Sequence, residues 1–171
     1  EIGISKPTAG ESVRRLAERG LVADTGERTP GGRGRGRVGS YYSLSPSVGG
    51  ALAVTIAAEG VVAERIDVFG DAVMRAERHL DRPARPAQVS AALEAAVSAA
   101  CTDSRPVRLA VVGAADPVDR VSGRLVQLPD SPFLVGDLDP VAVLSPYVSG
   151  PVVVDNDVNW AARAERDHRG P

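Results

Sequence analysis

The chain has 171 residues, of which 43% are hydrophobic and 25% are charged, and its formal net charge is −2. These totals are typical of a soluble globular chain of about one domain, and the net charge by itself suggests no polyanionic partner. The single cysteine, Cys101, excludes an intrachain disulfide, and no apolar run or signal-peptide pattern indicates a membrane or an export route. We therefore expect a cytoplasmic protein without a membrane partner.

The charges are distributed unevenly along the chain. Residues 1–45 contain eight Lys and Arg against five Asp and Glu, whereas the remainder contains twelve against seventeen. This asymmetry is more informative than the net charge, because it confines contact with a polyanion to one end of the chain. The chain also begins without Met, so we expect it to be a piece of a longer protein.

The segment ISKPTAGESVRRLAERGLV predicts a helix with both ends marked. Ser5 is a favourable N-cap, Pro7 suits the first turn, and Gly20 suits the carboxyl-terminal end. One face of the helix is apolar at helical spacing and consists of Ala9, Val13, Leu16 and Ala17.

The polar residues of this segment allow two interpretations. As part of a recognition helix, they would contact phosphates or base edges of DNA. The candidates for these contacts are Ser5, Lys6, Thr8, Arg14 and Arg15. The alternative is a solvated charged face, which the composition favours because Glu11 and Glu18 offset part of the positive charge.

Residues 24–39 are rich in Gly, Arg, Thr and Pro and are predicted to form a loop. The loop contains Arg33, Arg35 and Arg37, each separated from the next by one glycine. Alone, such a run is most often a solvated linker. Here it lies between an extended stretch and SYYSLSP, a predicted short strand that ends at Pro46. A winged helix has its wing at such a place, and arginines of a wing suit a narrow minor groove. Residues 1–46 therefore predict a winged helix without its first helices.

After Pro46 the pattern changes to that of a layered α/β domain. Two β-branched segments, ALAVTIAA and VVAERIDVFG, are separated by Glu59-Gly60, which indicates a hairpin, and DAVMRAERHL is a candidate third strand. A helix is then predicted over 86–103, followed by the strands VRLAVVGAAD and GRLVQLP, a helix over 138–150, and a strand that runs into a helix over 150–167. Strands that meet first and then alternate with helices predict an α/β domain over residues 47–171.

The stretch VVVDNDVNW carries the strongest candidate ligand site of this domain. Asp157 and Asn156 follow a predicted buried strand and open a helix, which is where α/β sheets bind ligands. Asp157 is suited to accept a proton from a hydroxyl, and Asn156 to hydrogen-bond a neighbouring one. The alternative is that one of the three polar residues at 155–157 only caps the helix.

Other chemistry is not indicated by the sequence. His79 and His168 are isolated, and no spacing of His, Cys, Asp and Glu is typical of a metal site. Neither GxxxxGK[ST] nor GxSxG occurs.

Together these segments resemble the ROK family of repressors, open reading frames and sugar kinases. ISKPT…VRRLAERGLV is similar to the recognition helix of the family's regulators, and GGRGRGR is similar to their wing. PVVVDNDVNWAARAE is similar to the strand and helix of the family's sugar site, and VVGAADPVDRVSGRLVQLPDSP to the strand and loop before it. The resemblance implies a partial winged helix-turn-helix at 1–46, followed at 47–171 by the truncated amino-terminal lobe of an actin-like, RNase H-like ATPase fold of the sugar kinase type.

The resemblance also implies roles for individual residues. Asn156 and Asp157 match the pair that holds sugar hydroxyls, and in the family's kinases this Asp is the catalytic base. Asp130 stands at the position of a sugar-contacting Asn. The family's zinc motif would lie beyond residue 171, so no metal or cofactor is expected in this stretch.

The chain departs from the kinases at the first hairpin, where the family has Asp-x-Gly-Gly-Thr. The matching positions are Thr55, Ala57, Ala58 and Glu59, so the Asp that serves metal-ATP and the glycines near phosphate are absent. A carboxylate at position 59 would repel a phosphate. The loop written Pro-Gly-Pro-Val-Asp in the family reads ADPVD at residues 115–119.

The sequence therefore favours a DNA-binding transcriptional regulator that is not an enzyme. Its expected partners are double-stranded DNA, a sugar or sugar-phosphate effector, and further copies of itself in a homodimer or homotetramer. Two alternatives remain open, a sugar kinase similar to glucokinase and a ROK regulator that has lost sugar binding. Asp157 favours the first alternative, and the changes at residues 115, 116 and 130 favour the second.

Overall fold

The computed structural model of the protein describes residues 5–28, 39–127 and 137–168. The chain folds into two compact units, Glu1–Val48 and Gly49–Pro171. We refer to them as the first and the second unit and describe each separately.

The first unit contains one helix and one pair of strands. Helix α1 spans Lys6–Glu18, with the Ser5 hydroxyl accepting the Thr8 backbone N–H as an N-cap and Gly20 at a φ of 70° after its end, as the sequence predicts. Strands β1 (Val22–Arg28) and β2 (Ser40–Leu44) pair antiparallel.

The predicted loop of the first unit begins later than the sequence indicates, because β1 continues through residues 24–28. The carboxylate of Asp24 accepts the Gly26 backbone N–H at 2.8 Å, and Gly26 has a φ of 81°. The register between β1 and β2 shifts between Asp24 and Arg28, so β1 has an irregularity at Gly26 and continues beyond it.

The second unit is built on a five-stranded mixed sheet. In chain order its elements are β3 (Gly50–Ala57), β4 (Gly60–Ile66), β5 (Ala72–His79), α2 (Pro86–Ala100), β6 (Val107–Ala114), β7 (Val118–Asp119), β8 (Arg124–Leu125), α3 (Pro140–Leu144), β9 (Val152–Asn156) and α4 (Asp157–His168). The sheet order is β5-β4-β3-β6-β9, and β7 and β8 form a separate small hairpin. Strands β3, β4 and β5 are antiparallel neighbours, whereas β6 and β9 run parallel to β3.

The core of the second unit lies between α2 and one face of the sheet. On β3, residues 52, 54 and 56 are buried, and their partners on β6 are buried on the same face, as the alternation of a strand requires. Helix α2 contributes Val89, Leu93 and Val97 to this core, each fully buried. The Ala-rich composition of α2 lets the helix pack against β4 and β5.

Two elements are shorter than the sequence indicates. The GRLVQLP strand is reduced to the two residues of β8, and the helix predicted over 138–150 is reduced to α3. Pro146 follows α3 by two positions, which fits its inability to continue a helix.

A buried arginine joins the strands at the end of the sheet where β3 and β6 begin. The side chain of Arg65 is 3% exposed, and its guanidinium donates to the carbonyls of Ala51, Arg105 and Pro106 at 3.1–3.3 Å. One side chain therefore bonds three backbone carbonyls, of which that of Pro106 also accepts the Gly50 N–H at 3.1 Å.

We expect Arg65→Met to lower the free energy of unfolding by about 1.5 kcal/mol, because it keeps an unbranched apolar side chain but removes the guanidinium hydrogen bonds to three carbonyls. Urea denaturation measures this loss, with Arg75→Met as the control, since Arg75 is an exposed arginine of the neighbouring strand. Equal stability of the two variants would contradict the role given to Arg65.

Candidate functional site

The carboxyl ends of three strands lie side by side at one edge of the sheet. Strands β3, β6 and β9 are parallel neighbours, so the segments that follow them meet at this edge. These segments are the β3–β4 turn, the stretch after β6 that begins with Ala115 and Asp116, and the start of α4. Ligands of α/β sheets bind at such an edge, which makes it the candidate site.

Asp155 is a buried residue at this edge and joins β9 to α4. Its side chain is 5% exposed and accepts hydrogen bonds from Asn159 and Arg163, both at 2.7 Å, and from the Asn156 backbone N–H. Arg120, from the β7–β8 hairpin, approaches to 3.7 Å. The hydrogen bond from Asn159, then that from the Asn156 N–H and the charges of the two arginines, lower the pKa of Asp155 against the opposing effect of burial. Asp155 therefore holds α4 onto β9 as a carboxylate.

Asn156 uses its side chain to join β9 to the end of β6. Its amide nitrogen lies 3.0 Å from the carbonyl of Ala114 and 3.3 Å from that of Ala115, and its amide oxygen accepts the Val158 N–H at 3.0 Å. The last bond makes Asn156 a cap of α4. Both hydrogens of the amide are thus committed inside the protein, and only acceptor capacity on its oxygen remains for a ligand.

Asp157 is the exposed member of this group. It is the first residue of α4, and one carboxylate oxygen accepts the Val158 N–H at 2.7 Å. Within the described ranges its side chain has no other hydrogen bond. A carboxylate in the first turn of a helix is electrostatically favourable, and here its second oxygen is available to accept from a hydroxyl.

Trp160 and Arg163 fix the orientation of α4. The Trp160 indole N–H donates to the Val112 carbonyl at 2.9 Å, and the Arg163 guanidinium lies 4.6 Å from the centroid of the indole ring. Helix α4 therefore sits on β6 as well as following β9, so the position of Asp157 is set by two strands.

The β3–β4 turn is closed and carries a carboxylate. Ala57 pairs with Gly60, so only Ala58 and Glu59 form the turn. Arg82 forms an ion pair with the Glu59 carboxylate and donates to the Ala58 carbonyl at 3.4 Å. Both charged side chains are more than half exposed, so the pair is weak. The side chain of Ala58 packs against the core, so the Glu59 carboxylate is the group that the turn presents.

The predicted DNA-contacting residues of the first unit are described in part. Ser5 and Thr8 share a hydrogen bond at 2.8 Å at the start of α1, while Arg14 and Arg15 both bond to Glu11. The wing arginines at 33, 35 and 37 lie outside the described residues, as do Asp130 and the side chain of Lys6.

The sequence missed several residues that build this edge. Asn159 and Arg163 are four positions apart and share a face of α4, which was a signal for part of the cluster, whereas Asp155 belongs to β9. Arg82 and Arg120 arrive from distant loops, so no local pattern indicates them.

Neither a metal site nor a reactive thiol occurs among the described residues. No group of three His, Cys, Asp or Glu side chains in ranges 5–28, 39–127 and 137–168 could hold a metal ion. Burial raises the pKa of the Cys101 thiol, which therefore stays protonated at neutral pH. No described helix is long and apolar enough to cross a membrane.

The five-stranded mixed sheet matches the class of actin-like kinase folds. Neither a protein-family model nor a curated protein matches the chain. Solved structures do match it. A ROK family transcriptional regulator, a homologue of the E. coli MLC protein, aligns with a TM-score of 0.57 at 16% identity, over 90% of this chain and 39% of that one.

A second matching structure is a ROK family glucokinase from Streptomyces griseus in complex with glucose and AMPPNP. It aligns with a TM-score of 0.53 at 25% identity, over 67% of this chain and 35% of that one. The match at 16% identity establishes the fold, and the two together support membership of the ROK family. The chain spans well under half the length of either protein.

Proposed function

We propose that the chain is part of a DNA-binding transcriptional regulator whose second unit senses a sugar or a sugar derivative. The observation that carries the proposal is the arrangement around residues 29–38. The strands on either side of this Gly-Arg segment pair with each other antiparallel, after a capped helix that carries arginines on its exposed face. Helix, strand, basic connection and returning strand are the parts of a winged helix in order.

The charge of the first unit supports double-stranded DNA as the partner. Residues 29–38 contain three arginines and no acidic residue, whereas the arginines of α1 are partly neutralised by glutamates. The connection is therefore the most basic part of the chain, and its glycines allow close approach to a sugar-phosphate backbone.

The β3–β4 turn favours a regulator over a kinase. Thr55 stands where a kinase needs a carboxylate for metal-ATP, and Glu59 with Arg82 occupies the turn that would approach phosphate. The exposed Asp157 is the observation that favours the kinase alternative. Sugar-dependent ATP turnover by the complete protein in a coupled assay would reverse this ranking.

Asp157 supports a sugar as the effector, because its free carboxylate oxygen is suited to accept from a hydroxyl. We expect Asp157→Asn to weaken effector binding by roughly 20-fold, the cost of losing a hydrogen bond to a charged acceptor. Calorimetry on the complete protein, with hexoses, their phosphates and their N-acetyl forms, measures the change.

The matched control is Asp167→Asn, which removes the same charge from an exposed position of the same helix. Equal affinities of the two variants would rule out Asp157 as a ligand. Absence of binding to every compound, with DNA binding intact, would favour a regulator that has lost its sugar.

The regulator would act as a cytoplasmic homodimer or homotetramer. A ligand that binds one arrangement of the second unit more tightly would shift the population and move paired DNA-binding units relative to each other. Sedimentation of the complete protein with and without effector tests the assembly, and a monomer under both conditions would exclude this mechanism.

A further inference from the structure

One glutamate holds both arginines of the exposed face of α1. The Glu11 carboxylate accepts Nε and Nη2 of Arg14 at 3.0 and 2.8 Å, a two-point contact, and Nε of Arg15 at 2.9 Å. Glu18 adds a further ion pair to Arg14 from the next turn. The hydrogen bonds from Arg14 and then Arg15 lower the pKa of Glu11, so it is ionised at neutral pH.

The same guanidinium groups are the donors that a DNA phosphate would need. All members of the cluster are well exposed, with Arg15 at 71%, so the contacts are open to competition from solvent ions. A phosphate that binds Arg14 or Arg15 must displace the Glu11 carboxylate or lie beside it, and two anions at this separation repel each other.

This competition affects two kinds of DNA differently. Non-specific DNA offers only phosphates, so every contact that it makes with Arg14 or Arg15 competes with Glu11. A specific site also offers base edges to other residues, such as those at the amino-terminal end of α1, and these contacts do not compete with Glu11.

We propose that Glu11 is a specificity-determining residue that occupies Arg14 and Arg15 in the DNA-free protein and thereby weakens binding to non-specific DNA. The inference rests on the proposed DNA-binding function. It adds to that function a role for an acidic residue, because Glu11 would limit the contacts of Arg14 and Arg15 with phosphates.

The test compares Glu11→Gln with Glu27→Gln in the complete protein. Both substitutions remove one negative charge from the first unit, but Glu27 forms no side-chain ion pair among the residues described. Fluorescence anisotropy with a random-sequence duplex, and with a duplex that the protein selects from a random pool, gives affinities across a range of salt concentrations.

We expect Glu11→Gln to tighten binding to the random duplex by about 10-fold at 0.1 M salt and to steepen the salt slope by about 1 to 2, because up to two phosphate contacts are released. Glu27→Gln should change affinity by less than about 3-fold, because it removes one screened charge without releasing Arg14 or Arg15. The ratio of specific to non-specific affinity should fall only in Glu11→Gln.

A double-mutant cycle separates release of the arginines from loss of charge. In a background of Arg14→Gln and Arg15→Gln, the effect of Glu11→Gln should shrink to that of Glu27→Gln. An unchanged effect in this background, or equal effects of the two glutamate variants, would overturn the inference about Glu11. Neither outcome would contradict the proposed DNA-binding function. If the unsubstituted protein binds no duplex at any salt concentration, the proposed function itself fails.

Discussion

Replacing Arg33, Arg35 and Arg37 with alanine is expected to weaken operator binding by on the order of 100-fold at 0.1 M salt. Each phosphate contact contributes about 0.9 to the slope of log affinity against log salt, so the loss of three contacts should flatten this slope by about 3. Filter binding or anisotropy on the complete protein, titrated over salt, measures both quantities.

The matched control removes the same charge from the second unit. Arg75, Arg105 and Arg166 are exposed arginines that form ion pairs with neighbouring carboxylates, and their triple replacement gives the same net charge as the triple replacement in the Gly-Arg segment. We expect the control to leave the slope near that of the unsubstituted protein. If both triple variants flatten the slope equally, the effect is one of net charge, and the assignment of a wing is wrong.

Asp155→Ala is expected to lower the free energy of unfolding at neutral pH by about 3 kcal/mol. The substitution leaves Arg163 and Asn159 without their acceptor at a nearly buried position, and breaking a buried ion pair from one side costs about 3 to 5 kcal/mol. The lower end applies because the Arg163 side chain is 43% exposed. Urea denaturation is the measurement, with Asp167→Ala as the control on the same helix.

The same variant should show a defined pH dependence. The pKa of Asp155 is lower in the folded chain than its ordinary value of 3.8, so its contribution to stability is fully present above that value and is lost as the pH falls through the folded pKa. The free energy of unfolding of the unsubstituted protein should therefore approach that of Asp155→Ala as the pH is lowered. If the difference in the free energy of unfolding stays constant down to about pH 2, the carboxylate charge is not what stabilises this edge.

Much of the fold follows from local patterns. The N-cap at Ser5, the apolar alternation of β3 and β4 and the Ala-rich α2 are each set by neighbours within a few positions, and all three occur as predicted. Strand β5 was harder to predict, because it is an edge strand whose charged residues, Arg75, Glu77 and Arg78, are also typical of a polar loop.

The parts of the site that depend on distant residues were harder to predict. The sequence offered both a ligand-binding role and a capping role for residues 155–157, and Asn156 does cap α4. Its second set of contacts, with the carbonyls at the end of β6, joins residues about 40 positions apart, so no local pattern indicates it. The wing and the roles of Asp130 and Asp157 stay predictions. They concern contacts with molecules that a single chain does not contain.

Three consecutive residues at the junction between β9 and α4, residues 155–157, have different surroundings. Asp155 and Asn156 turn their side chains into the protein, and Asp157 turns its side chain outward. The first two positions are therefore constrained by folding, and under the proposed function the third is constrained by binding. Under the same proposal, a substitution at position 157 would alter effector binding while the contacts of Asp155 and Asn156 keep β9, β6 and α4 together.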